Sequence, residues 1–272
     1  MDPLRTFTLL GTGSSGGVPR VGGEWGECDP ANPKNRRRRC ALLIEQRAVD
    51  GARTSVLVDA GADLREQLLA SEVRSLEAVL LTHAHADHIF GLDDLRQLAL
   101  RLRRGIAVHM DEATSATVMR SFGYCFHQAA NSSYPSFCTE HRIVHPHPIE
   151  VAGPGGEMEI LPILAEHGDI HALGFRVGGV AYLPDVKRVV ETISLERLTG
   201  VDVLILDALR RHPHPAHLNL EEALAFVERL RPRRAILTNL HSDLDYAELR
   251  ASLPPGVEPG HDGLMIECTV ER

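Results

Sequence analysis

The hexapeptide HAHADH at residues 83–88 constrains what this chain can fold into more than any other segment. It follows the apolar run 78–81 after a single threonine, so it lies where a buried strand ends and the chain turns. Imidazole and carboxylate groups are ligands that zinc, manganese and iron accept. On such a turn, the first two histidines can face one ion while the aspartate and the last histidine face another. A solvated polar turn is the alternative, but so dense a set of ligand groups favours a metal site.

The spacing of apolar residues predicts a β-rich part followed by helices, and this order occurs twice along the chain. Short aliphatic and β-branched runs predict strands, and apolar residues three or four apart predict helices. The predicted strands are 6–10, 40–45, 55–58, 78–82, 106–109, 160–163, 174–177, 180–182, 203–207, 235–238 and 265–269. The predicted helices are 64–70, 92–102, 113–122, 186–198, 220–230 and 246–253. This order predicts an α/β fold of two packed sheets covered by outer helices, a four-layer αββα sandwich, and the lack of a linker predicts one domain over residues 1–272.

Residues 123–148 show no clear periodicity and contain four histidines. We predict a long surface excursion there, because long structureless loops in compact domains are often functional. The excursion fits either a lid over a substrate or a contact between two copies of the chain.

The charge of the chain argues against nucleic acid as the default partner. The formal net charge is −8, whereas non-specific binding of nucleic acid depends on lysines and arginines. One basic run, the four arginines at 36–39, fits either a solvated loop or a patch that meets an anionic substrate. The five cysteines form no C-x-x-C pair, and no segment has the length of a secretory leader or a membrane helix. We therefore expect a cytoplasmic protein with free thiols and no membrane partner.

A glycine-rich turn follows the first predicted strand. Gly11, Gly13 and Gly16 fit the spacing of a dinucleotide-binding loop, but that loop needs a helix directly after it. Here a Val-Pro pair and a polar loop follow, so no helix N-terminus can hold a pyrophosphate. A tight turn beside an active site fits better, and its backbone N–H groups and Ser14 or Ser15 can touch a phosphate.

The hexapeptide after a buried strand resembles the signature of the metallo-β-lactamase superfamily, and later segments are similar to the remaining family motifs. Residues 58–61, 166–168, 183–185 and 238–241 match them in order, so the resemblance spans residues 6–269. Asp59 resembles the aspartate that orients the metal loop. The resemblance implies two divalent ions, zinc or manganese, with iron also compatible. The implied ligands are His83, His85 and His167 for the first ion, Asp87, His88 and His241 for the second, and Asp185 as a bridge.

Two further segments resemble the phosphodiesterase branch of that superfamily. His217 lies just before Asn219, which can cap the helix 220–230 together with Glu222. It is similar to the histidine that contacts the scissile phosphate and protonates the leaving oxygen, although a plain polar loop residue is the alternative. His217 and Asp87 are our candidate catalytic residues. His217, Ser14 and Ser15 are our candidate substrate-binding residues.

The opening segment 10–19 is similar to phosphoribosyl cyclic phosphodiesterases of phosphonate catabolism and, more distantly, to tRNA 3′-processing endonucleases. The short spacings from His167 to Asp185 and from Asp207 to His217 leave no room for a tRNA-gripping arm, so tRNA is not the expected substrate. The phosphonate enzymes carry a further zinc site in the loop after the first strand. Here that loop offers only Cys28 and Cys40, and Leu244 stands in place of a histidine, so we expect packing and hydrogen bonds to hold it.

The expected function is a two-metal phosphodiesterase that attacks a small cyclic or nucleotide-like phosphodiester with a hydroxide shared by the metals. A thioesterase of the glyoxalase II type is one alternative, but it would carry a C-terminal helical domain. A metal-dependent nucleotide-binding module without catalysis is another, and the complete ligand set argues against it. A true β-lactamase would lack the bridging aspartate. Relatives often dimerise, so a homodimer is also an open expectation.

Overall fold

The computed structural model describes residues 4–128 and 130–270. Over these residues the chain forms fourteen strands and seven α-helices in chain order. The strands of the first half are β1 (Leu4–Gly11), β2 (Ala41–Arg47), β3 (Arg53–Val58), β4 (Ala78–Leu80), β5 (Ile106–Met110), β6 (Cys138–Arg142) and β7 (Ile149–Val151). Those of the second half are β8 (Met158–His167), β9 (Ile170–Val177), β10 (Val180–Leu183), β11 (Val203–Asp207), β12 (Arg234–Thr238), β13 (Val257–Pro259) and β14 (Met265–Thr269). The helices are α1 (Leu64–Ala70), α2 (Ala86–Ile89), α3 (Leu95–Leu102), α4 (Glu112–Phe126), α5 (Thr192–Leu198), α6 (Leu220–Leu230) and α7 (Tyr246–Ser252).

The strands build two mixed sheets of seven strands each. The first has the order β14-β1-β2-β3-β4-β5-β6 and the second β13-β12-β11-β10-β9-β8-β7. An apolar cluster between the sheets takes residues from both, among them Phe7 and Leu42 from the first and Phe175 and Tyr182 from the second. Two further clusters lie on the outer faces, under the helices of each half. The predicted αββα sandwich is confirmed.

The direction of the strands places the predicted site residues at one edge of the sandwich. Strands β3, β4 and β5 run parallel to one another, as do β10, β11 and β12. Strand β8 also runs in the direction of β10, because β9 pairs antiparallel with both. The loops that follow β3, β4, β8, β10, β11 and β12 therefore leave the sheets at their carboxyl ends, where open α/β sheets usually bind ligands.

Two sequence predictions of secondary structure were wrong in part. The segment 123–148 is not a plain excursion, because α4 extends to Phe126 and β6 forms an edge strand whose Cys138 is buried. The helix predicted for 186–198 begins only at Thr192. The first residues of the predicted helix form hydrogen bonds with other segments instead. The N–H of Val186 donates to Asp207, and that of Lys187 donates to the carbonyl oxygen of Glu166. No helix among the described residues has both the length and the apolar character to cross a bilayer.

Candidate metal centre

The histidines and carboxylates singled out in the sequence meet in a cleft at the carboxyl edge of the sandwich. Their ligand atoms form three overlapping groups, each with all members within 4.8 Å of one another. The groups are His83, His85 and His167; His83, His88 and Asp185; and His167, Asp185 and His217. The cleft has a volume of about 550 Å³, and Ser14, Ser15, Asp87 and His241 also line it. The structure thus brings the predicted residues to one place from six different loops.

Hydrogen bonds fix which nitrogen of each buried histidine faces the cleft. His167 donates from Nδ1 to the carbonyl oxygen of Ala216 at 2.8 Å, and His88 donates from Nδ1 to Asp59 at 2.7 Å. A neutral imidazole carries one proton, so Nε2 of each ring presents a lone pair to the site. These protons are assigned from the hydrogen-bond network. Rings held in this way are prepared to bind a cation.

Asp59 orients the loop of the hexapeptide 83–88 through hydrogen bonds. It directly follows β3 at a positive φ of 67°, and its carboxylate accepts the N–H and the hydroxyl of Thr82 at 2.8 and 3.0 Å. Since the Thr82 proton is given to Asp59, its oxygen accepts from Nδ1 of His83 at 3.0 Å. One buried carboxylate therefore sets the tautomers of both His83 and His88. This is the orienting role that the resemblance implied for it.

Gly61 lets this loop approach its neighbour closely. A Cβ atom on Gly61 would lie 1.9 Å from the carbonyl oxygen of Asp87. Any larger residue there would displace the backbone that carries Asp87. The side chain of Asp87 has its Oδ2 atom 3.4 Å from Nε2 of His88.

Asp185 supplies an observation that tests whether a cation fits this site. Its Oδ2 atom is buried and forms no hydrogen bond, although Nε2 of His88 lies only 2.6 Å away. Both atoms present lone pairs whenever His88 is neutral, because its one proton is then directed at Asp59. A buried carboxylate oxygen facing a bare imidazole nitrogen is costly unless a positive charge lies between them. The donor set therefore fits a divalent cation, with Nε2 of His83 3.7 Å from the same oxygen.

Asn239 holds Asp185 in this orientation. It directly follows β12 at a positive φ of 61°, as Asp59 follows β3 in the other sheet. Asparagine and aspartate tolerate this left-handed conformation better than most residues. The Nδ2 atom of Asn239 donates to Oδ1 of Asp185 at 2.6 Å and to the carbonyl oxygen of Pro184 at 3.1 Å. Oδ2 of Asp185 is thereby turned into the cleft.

His217 reaches the centre from the loop before α6. Asn219 and Glu222 form the predicted capping box of that helix, which fixes the end of the loop. The Nδ1 atom of His217 donates to Asp207, so its Nε2 atom is left unpaired by that contact. Burial lowers the pKa of His217, but the hydrogen bond to Asp207 and the negative charges of nearby carboxylates together outweigh it, and the net pKa is raised. Burial raises the pKa of Asp207 to about 7, and the pair holds a proton in the neutral range.

His241 lies in the same cleft but stands apart from the other ligand groups. Among the described residues it joins none of the three clusters. Its Nδ1 atom lies 3.1 Å from Asp243, and its Nε2 atom contacts Nη2 of Arg20. Arg20, Asn239 and Asp207 were not among the site residues expected from the sequence. Asn239 and Asp207 could have been found, since each is a polar residue at the end of a buried strand.

Ser14 and Ser15 line the cleft from the glycine turn. Ser14 is buried and Ser15 is exposed. The absence of a helix after this turn agrees with the rejection of a dinucleotide-binding loop. Gly11 is required for close approach, because a Cβ there would lie 1.9 Å from the carbonyl oxygen of Arg39.

The loop between β1 and β2 is held by Arg37, so this member of the arginine run is not solvated. Arg37 is only 2% exposed. Its guanidinium donates to the carbonyl oxygens of His241 at 3.2 Å and Leu244 at 2.7 Å, and to the sulfur of Cys28 at 3.7 Å. Hydrogen bonds from one buried cation thus tie this loop to the loop that carries His241.

Comparisons with known proteins agree with this geometry. The model of the beta-lactamase superfamily domain matches residues 54–239. A solved diphosphatase of the PhnP family is similar at 34% identity, with 96% of this chain and 97% of that chain covered and a TM-score of 0.84. An octanoyltransferase of Porphyromonas gingivalis is 32% identical over 94% of this chain, which spans only 50% of that protein's length. A ribonuclease Z of a Bradyrhizobium species is 39% identical over 32% of this chain and 29% of its own length.

Proposed function

This chain belongs to the metallo-β-lactamase superfamily, in its phosphodiesterase branch, and from that membership we propose that it is a metal-dependent phosphodiesterase. The observation that carries the proposal is the buried Oδ2 atom of Asp185. It forms no hydrogen bond and faces the Nε2 atoms of two histidines, His83 and His88. The solved relative that shares 34% of its residues is a diphosphatase by name, which supports phosphate esters or anhydrides as the substrate class.

We assign the ligands to two divalent ions. His83, His85 and His167 would hold the first. Asp87, His88 and His241 would hold the second, once Arg20 no longer contacts His241. Asp185 would serve both. Bound divalent ions supply a Lewis acid for the phosphoryl oxygens and lower the pKa of water, and the mixed nitrogen and oxygen donors are compatible with zinc, manganese or iron.

The residues of the chain around the ions would orient the substrate and move one proton. In its doubly protonated form, which its raised pKa favours, His217 would donate the Nε2 proton to the leaving oxygen and become neutral, while Asp207 would hold the ring in place through Nδ1. Ser14 and Ser15 would contact the phosphate from the glycine turn, which lines the same cleft. Asp87, whose Oδ2 atom lies 3.4 Å from Nε2 of His88, would act in catalysis by holding the second ion beside the phosphate.

The size of the cleft favours a small substrate. A volume of about 550 Å³ lies in the range of small-molecule sites. A cyclic or nucleotide-like phosphodiester would fit, whereas the chain offers no long insertion between β11 and α6 that could grip tRNA. The apolar cluster shared by the two sheets supports a single catalytic unit over the whole chain.

The test is hydrolysis of bis(4-nitrophenyl) phosphate by protein loaded with Mn²⁺ or Zn²⁺, with bound metal measured in the same samples. We expect a metal-dependent rate that Asp185→Ala loses together with bound metal. Asp202→Ala is the matched control, because Asp202 is exposed and precedes β11 at the opposite end of the sheet. Metal-loaded protein without any rate on this ester, or on cyclic phosphodiesters, would overturn the proposal, and thioesters would be tried next.

A further inference from the structure

A second opening lies between the two sheets at the end of the sandwich opposite the metal cleft. It has a volume of about 1160 Å³, and its lining includes parts of β1 and β14 of the first sheet and the amino ends of β11 and β12 of the second. We call it the end cleft, defined by Arg5, Phe7, Val177, Val203 and Cys268. It shares no lining residue with the metal cleft. It is therefore separate from the proposed metal centre.

Arg5 is a buried cation that lines this cleft. The residue is only 9% exposed, and burial lowers the pKa of its guanidinium. The Nη2 atom of Arg5 donates to Oε1 of Gln46, which is an uncharged partner. Gln46 is held in turn, because its Nε2 atom donates to the carbonyl oxygens of Gly155 and Glu157 at 3.1 Å each. The guanidinium is therefore fixed in its orientation by a partner that carries no negative charge.

The buried charge of Arg5 lacks a compensating anion. Its Nε atom is buried without a hydrogen-bond partner, and no carboxylate within residues 4–128 and 130–270 forms an ion pair with it. The cross-strand neighbour of Arg5 on β14 is Cys268. Burial raises the pKa of that thiol, so it is neutral at pH 7 and supplies no negative charge. Because a buried charge is costly unless it is paired, the guanidinium fits a ligand that brings a negative charge.

The lining of the end cleft indicates which anion it takes. Four of its residues are exposed aspartates or glutamates, and their charges repel a ligand with several negative charges. A carboxylate brings only one negative charge, and its two oxygens match the parallel N–H groups of a guanidinium. Phe7, Val177 and Val203 belong to the apolar cluster between the sheets, so this part of the lining favours a ligand with an apolar body.

We propose that the end cleft binds the carboxylate group of a small molecule with an apolar body, and that Arg5 is its anchor. The Nη1 atom of Arg5 lies beside the turn after β9, where a Cβ atom on Gly178 would come within 3.1 Å of it. Glycine at this position, with a φ of 57°, leaves room beside the guanidinium. Binding there compensates the charge of Arg5 and does not involve the proposed metal ligands.

The measurement is the rate at which iodoacetamide alkylates Cys268, followed by mass spectrometry at constant pH and ionic strength. Cys268 is partly exposed, whereas the other four cysteines are buried. We expect hexanoate to slow the reaction about tenfold at ten times its dissociation constant, by mass action. Hexanamide, which has the same shape without the charge, and inorganic phosphate should leave the rate unchanged. Equal protection by either compound would overturn the assignment of a carboxylate, and no protection by hexanoate would overturn the site.

Arg5→Gln tests the anchor itself. It should weaken the binding of hexanoate by about tenfold or more, the effect of a charge-assisted hydrogen bond, whereas Arg5→Lys should retain part of the affinity. Arg47→Gln is the matched control, because Arg47 is exposed and does not line the end cleft. If Arg5→Gln bound hexanoate as tightly as Arg47→Gln, the proposal would fail. The comparison of hexanoate with hexanamide needs no variant, so it decides the question even if Arg5→Gln does not fold. Neither measurement needs metal or turnover, and both are therefore independent of the proposed function.

Discussion

The Nδ1 atom of His217 lies 2.7 Å from Oδ2 of Asp207, a carboxylate with no solvent exposure. The same oxygen accepts the N–H of Val186 at 3.0 Å, and the other oxygen accepts from Asn239 at 3.2 Å. The carboxylate is thus fixed on three sides, and it determines which nitrogen of His217 carries a proton. The raised pKa of His217 lets the ring hold a second proton on Nε2, and that proton can pass to a leaving group.

This relationship predicts a dependence on the leaving group. We expect Asp207→Asn to lower kcat by about 10²-fold for an alkyl phosphodiester, because the asparagine can no longer hold the ring in the required tautomer. The loss should be smaller for a 4-nitrophenyl ester, whose leaving oxygen needs no proton. Both rates are measured at equal metal content. Asp202→Asn is the control, and an equal loss for both esters would contradict a role for His217 as proton donor.

A second prediction concerns the tautomers set by Asp59. Asp59→Asn replaces an acceptor of three hydrogen bonds by a group that accepts with one oxygen only. We expect the affinity for Zn²⁺ to fall by about 10–100-fold, the usual effect of losing an outer hydrogen-bond partner. Competition with a chromophoric chelator measures this affinity. Asp50→Asn, in the exposed turn between β2 and β3, should leave it unchanged. Unaltered affinity in Asp59→Asn would exclude the orienting role.

A third prediction concerns Arg37. Arg37→Met should reduce the free energy of unfolding by about 3 kcal/mol or more, because the carbonyl oxygens of His241 and Leu244 would lose buried donors. Urea denaturation measures the change, and Arg36→Met is the matched control, because its side chain is exposed. Arg37→Lys should recover part of the stability by restoring one donor group. If Arg37→Met proved as stable as Arg36→Met, the loop would be held by other contacts.

A fourth prediction concerns pH and a histidine pair on β5 and β6. The rings of His109 and His141 stack at 4.8 Å between centroids, and burial, with a smaller effect of His141, lowers the pKa of His109 to about 4. In the unfolded chain the pKa is about 6.5. Between these values the unfolded state binds the extra proton, so this histidine costs stability increasingly as the pH falls from 6.5 to 4.

The variant His109→Phe isolates that contribution. When the pH falls from 8 to 4.5, the difference in free energy of unfolding between the variant and the unaltered protein should change by about 1–2 kcal/mol in favour of the variant. This figure allows for partial exposure of the ring. Urea denaturation at both pH values gives the difference, and the pH 8 comparison serves as the internal reference. The same stability difference at both pH values would refute the assignment.

Much of the fold could be predicted because it depends on local patterns. The helices at 64–70 and 220–230 and the strands at 203–207 and 265–269 have the predicted bounds, since their apolar spacing and caps are contained in neighbouring residues. The structure of the segment 186–198 could not be predicted from such local patterns. Its first residues hydrogen-bond to Asp207 and Glu166, and helical periodicity cannot reveal such partners.

The sequence by itself determined the ligand types, since the hexapeptide places three histidines and an aspartate on one strand-end turn. Only the tertiary structure decided how these groups are held. Arg37 is buried because it meets carbonyl oxygens more than 200 positions away along the chain, and an arginine run alone cannot show such partners. Asp185 faces the cleft because Asn239, from the loop after β12, donates to its other oxygen across β11. Local pattern fixes which groups are available, whereas the orientation of a buried polar group depends on the distant donors and acceptors that satisfy it.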